Sequence, residues 1–225
     1  PQDFSRVSTD GNLAYDDYNV IGGGSGNITG DDFFTRNWAV VAGGVLNTAS
    51  GSYSTVSGGE DNTASNINST VGGGANNTAS GGSTTVGGGV GNTASGTTST
   101  IGGGLGNSAI GTTSTIGGGD GNTASTRSTV GGGDTNAANG FTSTVGGGAA
   151  NTASGSDSTV SGSDTNTASG SDSTVGGGED NTAQGFGSTV GGGNFNVVIG
   201  ARGTIAGGGG GSDPPDATEA SFDGN

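Results

Sequence analysis

Hydrophobic residues recur along this chain at a fixed interval of 15 residues, each isolated among glycine, serine, threonine and asparagine. One copy of the pattern is STVGGGANNTASGG, from Ser69 to Gly82. A Val or Ile row runs from Val41 to Ile205, an Asn row from Asn47 to Asn196, and an Ala row from Ala49 to Ala183. A fixed short period of this kind is the sequence signature of a solenoid.

Each copy predicts two short strands, S-T-V and N-T-A-S, because apolar and polar residues alternate within them and glycine-rich turns separate them. Alternation places Val56 and Ala64 on the inner side, together with Ser54 and Asn62, and places Thr55 on the outer side. A helix is excluded, since each glycine costs about 1 kcal/mol relative to alanine and no 3.6-residue period exists. The pattern predicts an all-β protein, a parallel β-solenoid (β-roll) of about eleven to twelve 15-residue coils.

The inner side of such a coil carries little apolar surface, about one Val and one Ala. Burying one Val contributes about 2 kcal/mol, while ordering the backbone costs about 1–2 kcal/mol for every residue. Side-chain burial is therefore too small to hold the coils together. We expect backbone ladders between coils and stacked Asn side chains to supply most of the remainder.

The repeat divides the chain into three parts. Residues 1–38 read as an N-terminal cap with one atypical repeat, residues 39–208 as the β-solenoid, and residues 209–225 as a tail rich in Gly, Pro and acidic residues. Most aromatic residues lie in the cap, as expected for a plug over the open end of a solenoid. We predict that Phe4, Trp38 and Phe222 contact a neighbouring subunit.

Composition narrows the function classes. The 225 residues include 56 Gly, no His, Cys or Met, and only 4 Lys or Arg against 19 Asp or Glu, for a net charge of −15. This charge argues against nucleic acid and anionic membranes as partners. Without His, Cys or Lys, most nucleophile–base pairs and transition-metal sites are excluded, so we expect no enzyme.

The chain begins at Pro1, contains no Met and has no apolar run long enough for a membrane span. We interpret it as a mature secreted product with its signal peptide removed, located outside the cell or on its surface.

Several acidic residues share repeat positions in neighbouring coils, where stacking would bring their carboxylates about 5 Å apart. Oxygen-rich groups of this kind bind Ca²⁺; the alternative is a solvated acidic face. Ca²⁺ is the one cofactor the residues suggest. The candidate pairs are Asp120 with Asp134, Asp164 with Glu179, and Asp157 with Asp172.

Two further surface features carry hypotheses. Two outward Thr rows, starting at Thr55 and Thr48, are typical of exposed strands, and flat Thr arrays on solenoids can bind ice. Three N-x-[ST] sequences make Asn27, Asn68 and Asn76 candidates for glycosylation in a secreted chain.

The S-T-V-G…N-T-A-S-G phrase resembles the YadA-like head repeats of trimeric autotransporter adhesins. The resemblance covers about residues 19–208 and aligns Ser54 and Val56 with the two inward aliphatic residues of that family, and Asn62 and Ala64 with its two inward alanines. It implies a left-handed parallel β-roll, commonly trimeric, displayed on a bacterial surface for adhesion. The chain departs from the family in its 15-residue period, its longer Gly turn and its lack of a coiled-coil stalk and membrane anchor.

These features together predict a non-enzymatic, glycine-rich structural protein outside the cell. The leading hypothesis is a homo-oligomeric subunit of a bacterial surface filament or adhesive fibre, since a solenoid with open ends stacks head to tail. One alternative is a closed trimeric adhesin head that binds a host or surface ligand. The other is an ice-binding protein that uses the outward Thr rows.

Overall fold

The computed structural model describes residues 10–15, 18–30 and 38–209, together with the backbone of Arg6–Val7. The described chain is all-β and contains no helix. It forms two compact units, residues 1–113 and residues 114–225. Each unit is a parallel β-solenoid with about 15 residues per turn, as the period predicts.

Every strand is two residues long, and each turn of the solenoid contributes two of them. The strands of the first unit are β1 Arg6–Val7, β2 Leu13–Ala14, β3 Val20–Ile21, β4 Ile28–Thr29, β5 Val40–Val41, β6 Thr48–Ala49, β7 Thr55–Val56, β8 Thr63–Ala64, β9 Thr70–Val71, β10 Thr78–Ala79, β11 Thr85–Val86, β12 Thr93–Ala94, β13 Thr100–Ile101 and β14 Ser108–Ala109. Those of the second unit are β15 Thr115–Ile116, β16 Thr123–Ala124, β17 Thr129–Val130, β18 Ala137–Ala138, β19 Thr144–Val145, β20 Thr152–Ala153, β21 Thr159–Val160, β22 Thr167–Ala168, β23 Thr174–Val175, β24 Thr182–Ala183, β25 Thr189–Val190, β26 Val197–Val198 and β27 Thr204–Ile205.

The strands stack in two parallel sheets in each unit. Even-numbered strands from β2 onward form sheet A, which contains the N-T-A-S runs, and odd-numbered strands from β3 onward form sheet B, which contains the S-T-V runs. Equivalent residues of successive copies are register partners, as Thr78 is with Thr93 and Val86 with Ile101. The repeat therefore places each sequence row in a straight column along its unit.

The predicted inner rows form the core. The described Val, Ile and Ala residues of these rows are buried, from Val41 and Ala49 to Ile205. The Ser and Asn of the inner rows are buried as well, for example Ser54 and Asn62. The Thr of both strands lies on the outside and is half-buried or exposed. The predicted alternation is therefore confirmed in both runs.

The Asn row forms a continuous hydrogen-bonded ladder inside each unit. The Asn77 backbone N–H donates to Asn62 Oδ1 at 3.0 Å, and Asn77 Nδ2 donates to the carbonyl oxygens of Gly73 and Gly89 at 3.0 and 2.8 Å. Asn77 Oδ1 in turn accepts from the Asn92 N–H at 3.0 Å. Asn77 thus joins three consecutive coils, bonding the Gly73 carbonyl of its own turn and sharing the Gly89 carbonyl with the Ala75 N–H.

The third position of the G-G-G-x-x turn is left-handed and is glycine in every described copy except one, which has Ser163 at φ +68°. Gly74 has φ +87°, and a Cβ there would overlap the carbonyl oxygen of Gly89 in the next coil. The second x is also left-handed, both where it is glycine, as at Gly91 (φ +66°), and where it is a larger residue, as at Leu46 (φ +57°). This residue is held by its N–H, which donates to the preceding coil at Ser25 O, 2.9 Å away.

The N-terminal end of sheet A breaks the parallel pattern. Strand β1 pairs antiparallel with β2, with Arg6 opposite Ala14 and Val7 opposite Leu13. Parallel pairing begins at β2, which pairs with β4. The first edge of sheet A is therefore covered by a strand that runs against the rest.

Candidate functional site

The last described coil ends in a row of backbone donors. In the coil before it, the N–H groups of Thr182, Gln184 and Thr189 donate to the following coil at 2.7 to 2.9 Å. The equivalent N–H groups of Val197, Ile199 and Thr204 find no acceptor within the described ranges. We call these three N–H groups, which have no acceptor among the described residues, the donor edge.

In the first unit, the first described coil of sheet B has carbonyl oxygens that no described residue bonds. The carbonyl oxygens of Ala39 and Val41 accept from the preceding coil, from Val20 and Gly22, at 2.9 Å each. The equivalent carbonyl oxygens, those of Asn19 and Ile21, accept from no residue that the structure describes. Because the ladder is polar, donors at one end match acceptors at the other.

The outward side chains of sheet A change from polar to apolar or aromatic in the first and last coils. From Thr48 to Gln184, the outward Thr and Ser positions of sheet A hold Thr, Ser, Asn or Gln, apart from Ala137 and Ile110. The first and last copies carry apolar or aromatic residues at these positions: Leu13, Tyr15, Ile28, Val197 and Ile199. Ile199 is 54% exposed, and Val20 in sheet B is 52% exposed. Exposed apolar side chains also occur in interior coils, such as Ile67 at 50% and Ile110 at 52%; the two ends differ in having apolar or aromatic residues at both outward positions of sheet A.

Trp38, a predicted subunit contact, lies in a stack of three aromatic rings in the first unit. The three rings come from three successive coils. Its ring centroid is 5.3 Å from that of Tyr18 and 5.1 Å from that of Tyr53, and the Tyr53 ring is nearly parallel to it. Trp38 is 38% exposed. The stack follows from the repeat, because the three residues occupy one position in successive coils. The other two predicted contacts, Phe4 and Phe222, lie outside the described residues.

The acidic pairs occupy the neighbouring positions that the repeat predicts. Asp120 is the bridge partner of Asp134, and Asp164 is the partner of Glu179. Asp157 and Asp172 lie at equivalent left-handed turn positions, with φ of +56° and +57°. All six side chains are exposed. Within the part of the chain that the structure describes, no group of three or more acidic, His or Cys residues is arranged to hold a metal ion, so Ca²⁺ binding stays a prediction.

The three N-x-[ST] asparagines differ in accessibility. Asn68 and Asn76 are exposed. Asn27 is fully buried, and its Nδ2 donates to the carbonyl oxygens of Gly23 and Gly44 at 2.9 and 2.8 Å. Asn27 is thus a member of the Asn ladder, and its amide is not accessible to a glycan in the folded chain.

The outward Thr rows form straight columns in both sheets, since Thr63 pairs with Thr78 in sheet A and Thr70 with Thr85 in sheet B. In sheet A a Ser column lies beside the Thr column, two residues further along each strand. The repeat pattern predicts the Thr columns and the outward position of Ser65, but the apolar residues at the ends were not predicted.

No helix in the described ranges is long and apolar enough to cross a membrane. Comparison with protein-family models gave no match, and comparison with curated protein sequences gave none either. The resemblance to YadA-like heads stays a prediction.

Proposed function

We propose that this protein is a non-enzymatic structural subunit that assembles end to end, outside the cell, into a surface filament or adhesive fibre. The observation that supports it best is the donor edge at Val197, Ile199 and Thr204, whose N–H groups have no acceptor among the described residues. Unpaired edges of this kind pair with another strand whenever one is available. Docking the last coil of one copy on the first coil of another leaves a new open edge, so the contact does not close and chains grow.

Light-scattering mass measured over a concentration series, with electron microscopy of the same samples, tests this proposal. We expect a mass that increases with concentration and thin fibres on the grid. A fixed mass of three chains would instead support a closed trimeric head, and a monomer at all concentrations would contradict both.

A pair of variants tests the donor edge directly. Thr204→Pro removes one N–H that points out of the last coil, and edge strands tolerate proline at such a position. Thr204→Val keeps the N–H and changes only the side chain. We expect the proline variant to raise the concentration needed for fibres at least about tenfold, as for loss of about 1.4 kcal/mol per contact, and the valine variant to assemble as the parent does. Equal assembly of both would contradict a role for this edge.

The tail is tested separately. We expect a variant that lacks residues 212–225, and with them Phe222, to form no fibres. Unchanged fibres would show that the tail makes no contribution to the junction.

A second candidate, ice binding, is favoured by the regular hydroxyl columns of sheet A. In the first unit, Thr and Ser alternate with buried Ala in four successive coils, at Thr48–Ser50, Thr63–Ser65, Thr78–Ser80 and Thr93–Ser95. Strand geometry separates the two columns by about 6.6 Å and successive coils by about 4.8 Å. A flat lattice of hydroxyls with fixed spacing is suited to ordered water.

Thermal hysteresis and inhibition of ice recrystallisation test this candidate. Thr78→Lys places a charged side chain in the lattice, whereas Thr97→Lys places the same charge on an exposed turn. Ice binding requires activity in the parent and in the Thr97 variant, with loss in the Thr78 variant. No activity in the parent would exclude this function.

A further inference from the structure

We propose that the outer edge of β2 is the surface that receives the last coil of a second copy, and that β1 occupies this edge until the copy arrives. The inference rests on the proposed end-to-end assembly and identifies its contact surface and its control. It follows from the direction of hydrogen bonds in the first coil and from the residues at both ends.

The backbone N–H and C=O groups of β2 point in two opposite directions. The N–H groups of Leu13 and Tyr15 donate to Asn27 O and Thr29 O of the next coil at 2.8 and 3.0 Å. Ala14 lies between them, so its N–H and C=O point the opposite way, toward β1. Its register partner there is Arg6. The Arg6–Ala14 pair is therefore the hydrogen-bonded pair of this antiparallel contact.

An incoming coil needs the same groups. Inside the solenoid, the Ser50 N–H donates to the Ala64 carbonyl oxygen of the next coil at 2.9 Å. In a junction with the same register, Ile199 takes the place of Ser50 and Ala14 takes the place of Ala64. Because the Ala14 carbonyl cannot be the ladder partner of both Arg6 and Ile199, β1 and the second copy exclude each other.

The side chains at the two ends fit this register. The junction places Val197 beside Leu13 and Ile199 beside Tyr15 in the outward columns, where interior coils place Thr beside Thr and Ser beside Ser. These apolar side chains are at least partly exposed in the single chain. Burying them against each other stabilises the junction at about 25 cal/mol for each Å² of apolar surface removed from water.

The Asn ladder ends in a group that the junction would use. In each unit, Asn Oδ1 accepts from the backbone N–H of the Asn in the next coil, as Asn181 Oδ1 does from Asn196 at 3.0 Å. Asn196 Oδ1 accepts from no residue in the described ranges. The next member in the proposed register is Asn12 of the second copy.

Among the described residues, strand β1 pairs with sheet A alone, through two register pairs. A second copy pairs with both sheets, so it replaces β1 when its concentration is sufficient. Strand β1 thereby sets the concentration at which chains begin to join and protects the edge of unassembled chains from other strands.

A disulfide between β1 and β2 tests the exchange. Val7 and Leu13 are register partners next to the hydrogen-bonded pair, so their Cα atoms lie about 4.5 Å apart, within the range that a disulfide spans. The chain contains no other Cys. We expect Val7→Cys/Leu13→Cys to form no fibres when oxidised and to recover on reduction to the level of the Leu13→Cys single variant. Fibres formed equally by the oxidised and reduced forms would overturn the inference.

Removal of β1 provides the opposite test. We expect a variant that lacks residues 1–9 to assemble at a several-fold lower concentration than the parent, with a circular dichroism spectrum showing that its β-structure is intact. An unchanged threshold in a folded variant would overturn the inference. If the variant does not fold, the disulfide pair decides alone. Absence of fibres in every form, including the reduced and truncated ones, would refute end-to-end assembly itself rather than the role of β1.

Discussion

Replacing Asn77 with Ala measures what the Asn ladder contributes to stability. Asn77 lies in the middle of the first unit, is fully buried and bonds to coils on both sides. The substitution removes the side-chain amide and leaves the backbone of the strand unchanged. It therefore isolates the ladder from the backbone pairing of sheets A and B.

The expected loss follows from the groups that remain without a partner. The Asn92 N–H loses its acceptor, Asn77 Oδ1, and the Gly73 carbonyl loses its donor, Asn77 Nδ2. The Gly89 carbonyl keeps the Ala75 N–H at 2.9 Å. A buried polar group that loses its partner costs about 1–3 kcal/mol. Two such groups give an expected destabilisation of about 2–6 kcal/mol.

Hydrogen exchange at the Asn92 amide is the most direct measurement, because this N–H donates to the deleted oxygen. We expect exchange to be at least about 30-fold faster than in the parent, since each 1.4 kcal/mol corresponds to a factor of ten. Urea unfolding followed by circular dichroism and by the fluorescence of Trp38, the single Trp of the chain, reports the wider loss in the same unit.

Two further variants serve as comparisons for Asn77→Ala. Ser65→Ala alters an exposed side chain in a neighbouring coil and should change the free energy of unfolding by less than about 0.5 kcal/mol. Asn77→Asp keeps an acceptor for Asn92 but cannot donate to Gly73 and buries a charge, so it should be at least as harmful as alanine. A loss below about 1 kcal/mol in Asn77→Ala would refute the reasoning, because one orphaned group alone should exceed it.

Three further predictions concern the turns and the stack. Gly74→Ala combines a left-handed φ with backbone overlap and should cost more than about 2 kcal/mol, whereas Gly91→Ala, at φ +66° with open space around it, should cost about 1 kcal/mol; urea midpoints of the two compare them. Ser54→Ala removes a buried hydroxyl without a partner and should be neutral or stabilising, while Ser158→Ala loses a 2.6 Å hydrogen bond and should cost about 0.5–1.5 kcal/mol; thermal midpoints test the difference. Trp38→Leu removes two ring contacts and should cost about 1–3 kcal/mol, measured by urea unfolding followed by circular dichroism.

The repeated part of the fold was predictable because each copy repeats the same physical constraints. Alternation placed Val56 and Ala64 inside, and the glycines marked the turns; both expectations are confirmed. The hydrogen bonds of the Asn row were harder to predict from the sequence. The sequence placed Asn62 on the inner side, but bonds to the glycine carbonyls of two coils depend on turn geometry.

Features that occur once were not predictable in the same way. Strand β1 has no copy elsewhere in the chain, and its antiparallel pairing depends on the reversal between Val7 and Leu13. The N-x-[ST] pattern marks Asn27 as a glycosylation candidate without regard to its position in the repeat. The 15-residue phase places Asn27 in the Asn row, which forms the ladder. The left-handed backbone at Leu46 is not evident from that residue itself; Gly or Asn at the same position of other copies, such as Gly91 and Asn76, indicates it, and coil-to-coil hydrogen bonds hold it.

Changes in the length of a coil fall outside its strands and do not alter the pairing of those strands. Asn122 and Asn136 are 14 residues apart, yet Thr123 pairs with Ala137 as the repeat requires. Asn27 and Asn47 are 20 residues apart, yet Ile28 pairs with Thr48 in the same way. A coil is thus an exchangeable module, because adding or removing a whole coil leaves every remaining coil with the same kind of neighbour. The number of coils can therefore change without a change in the contacts within the array.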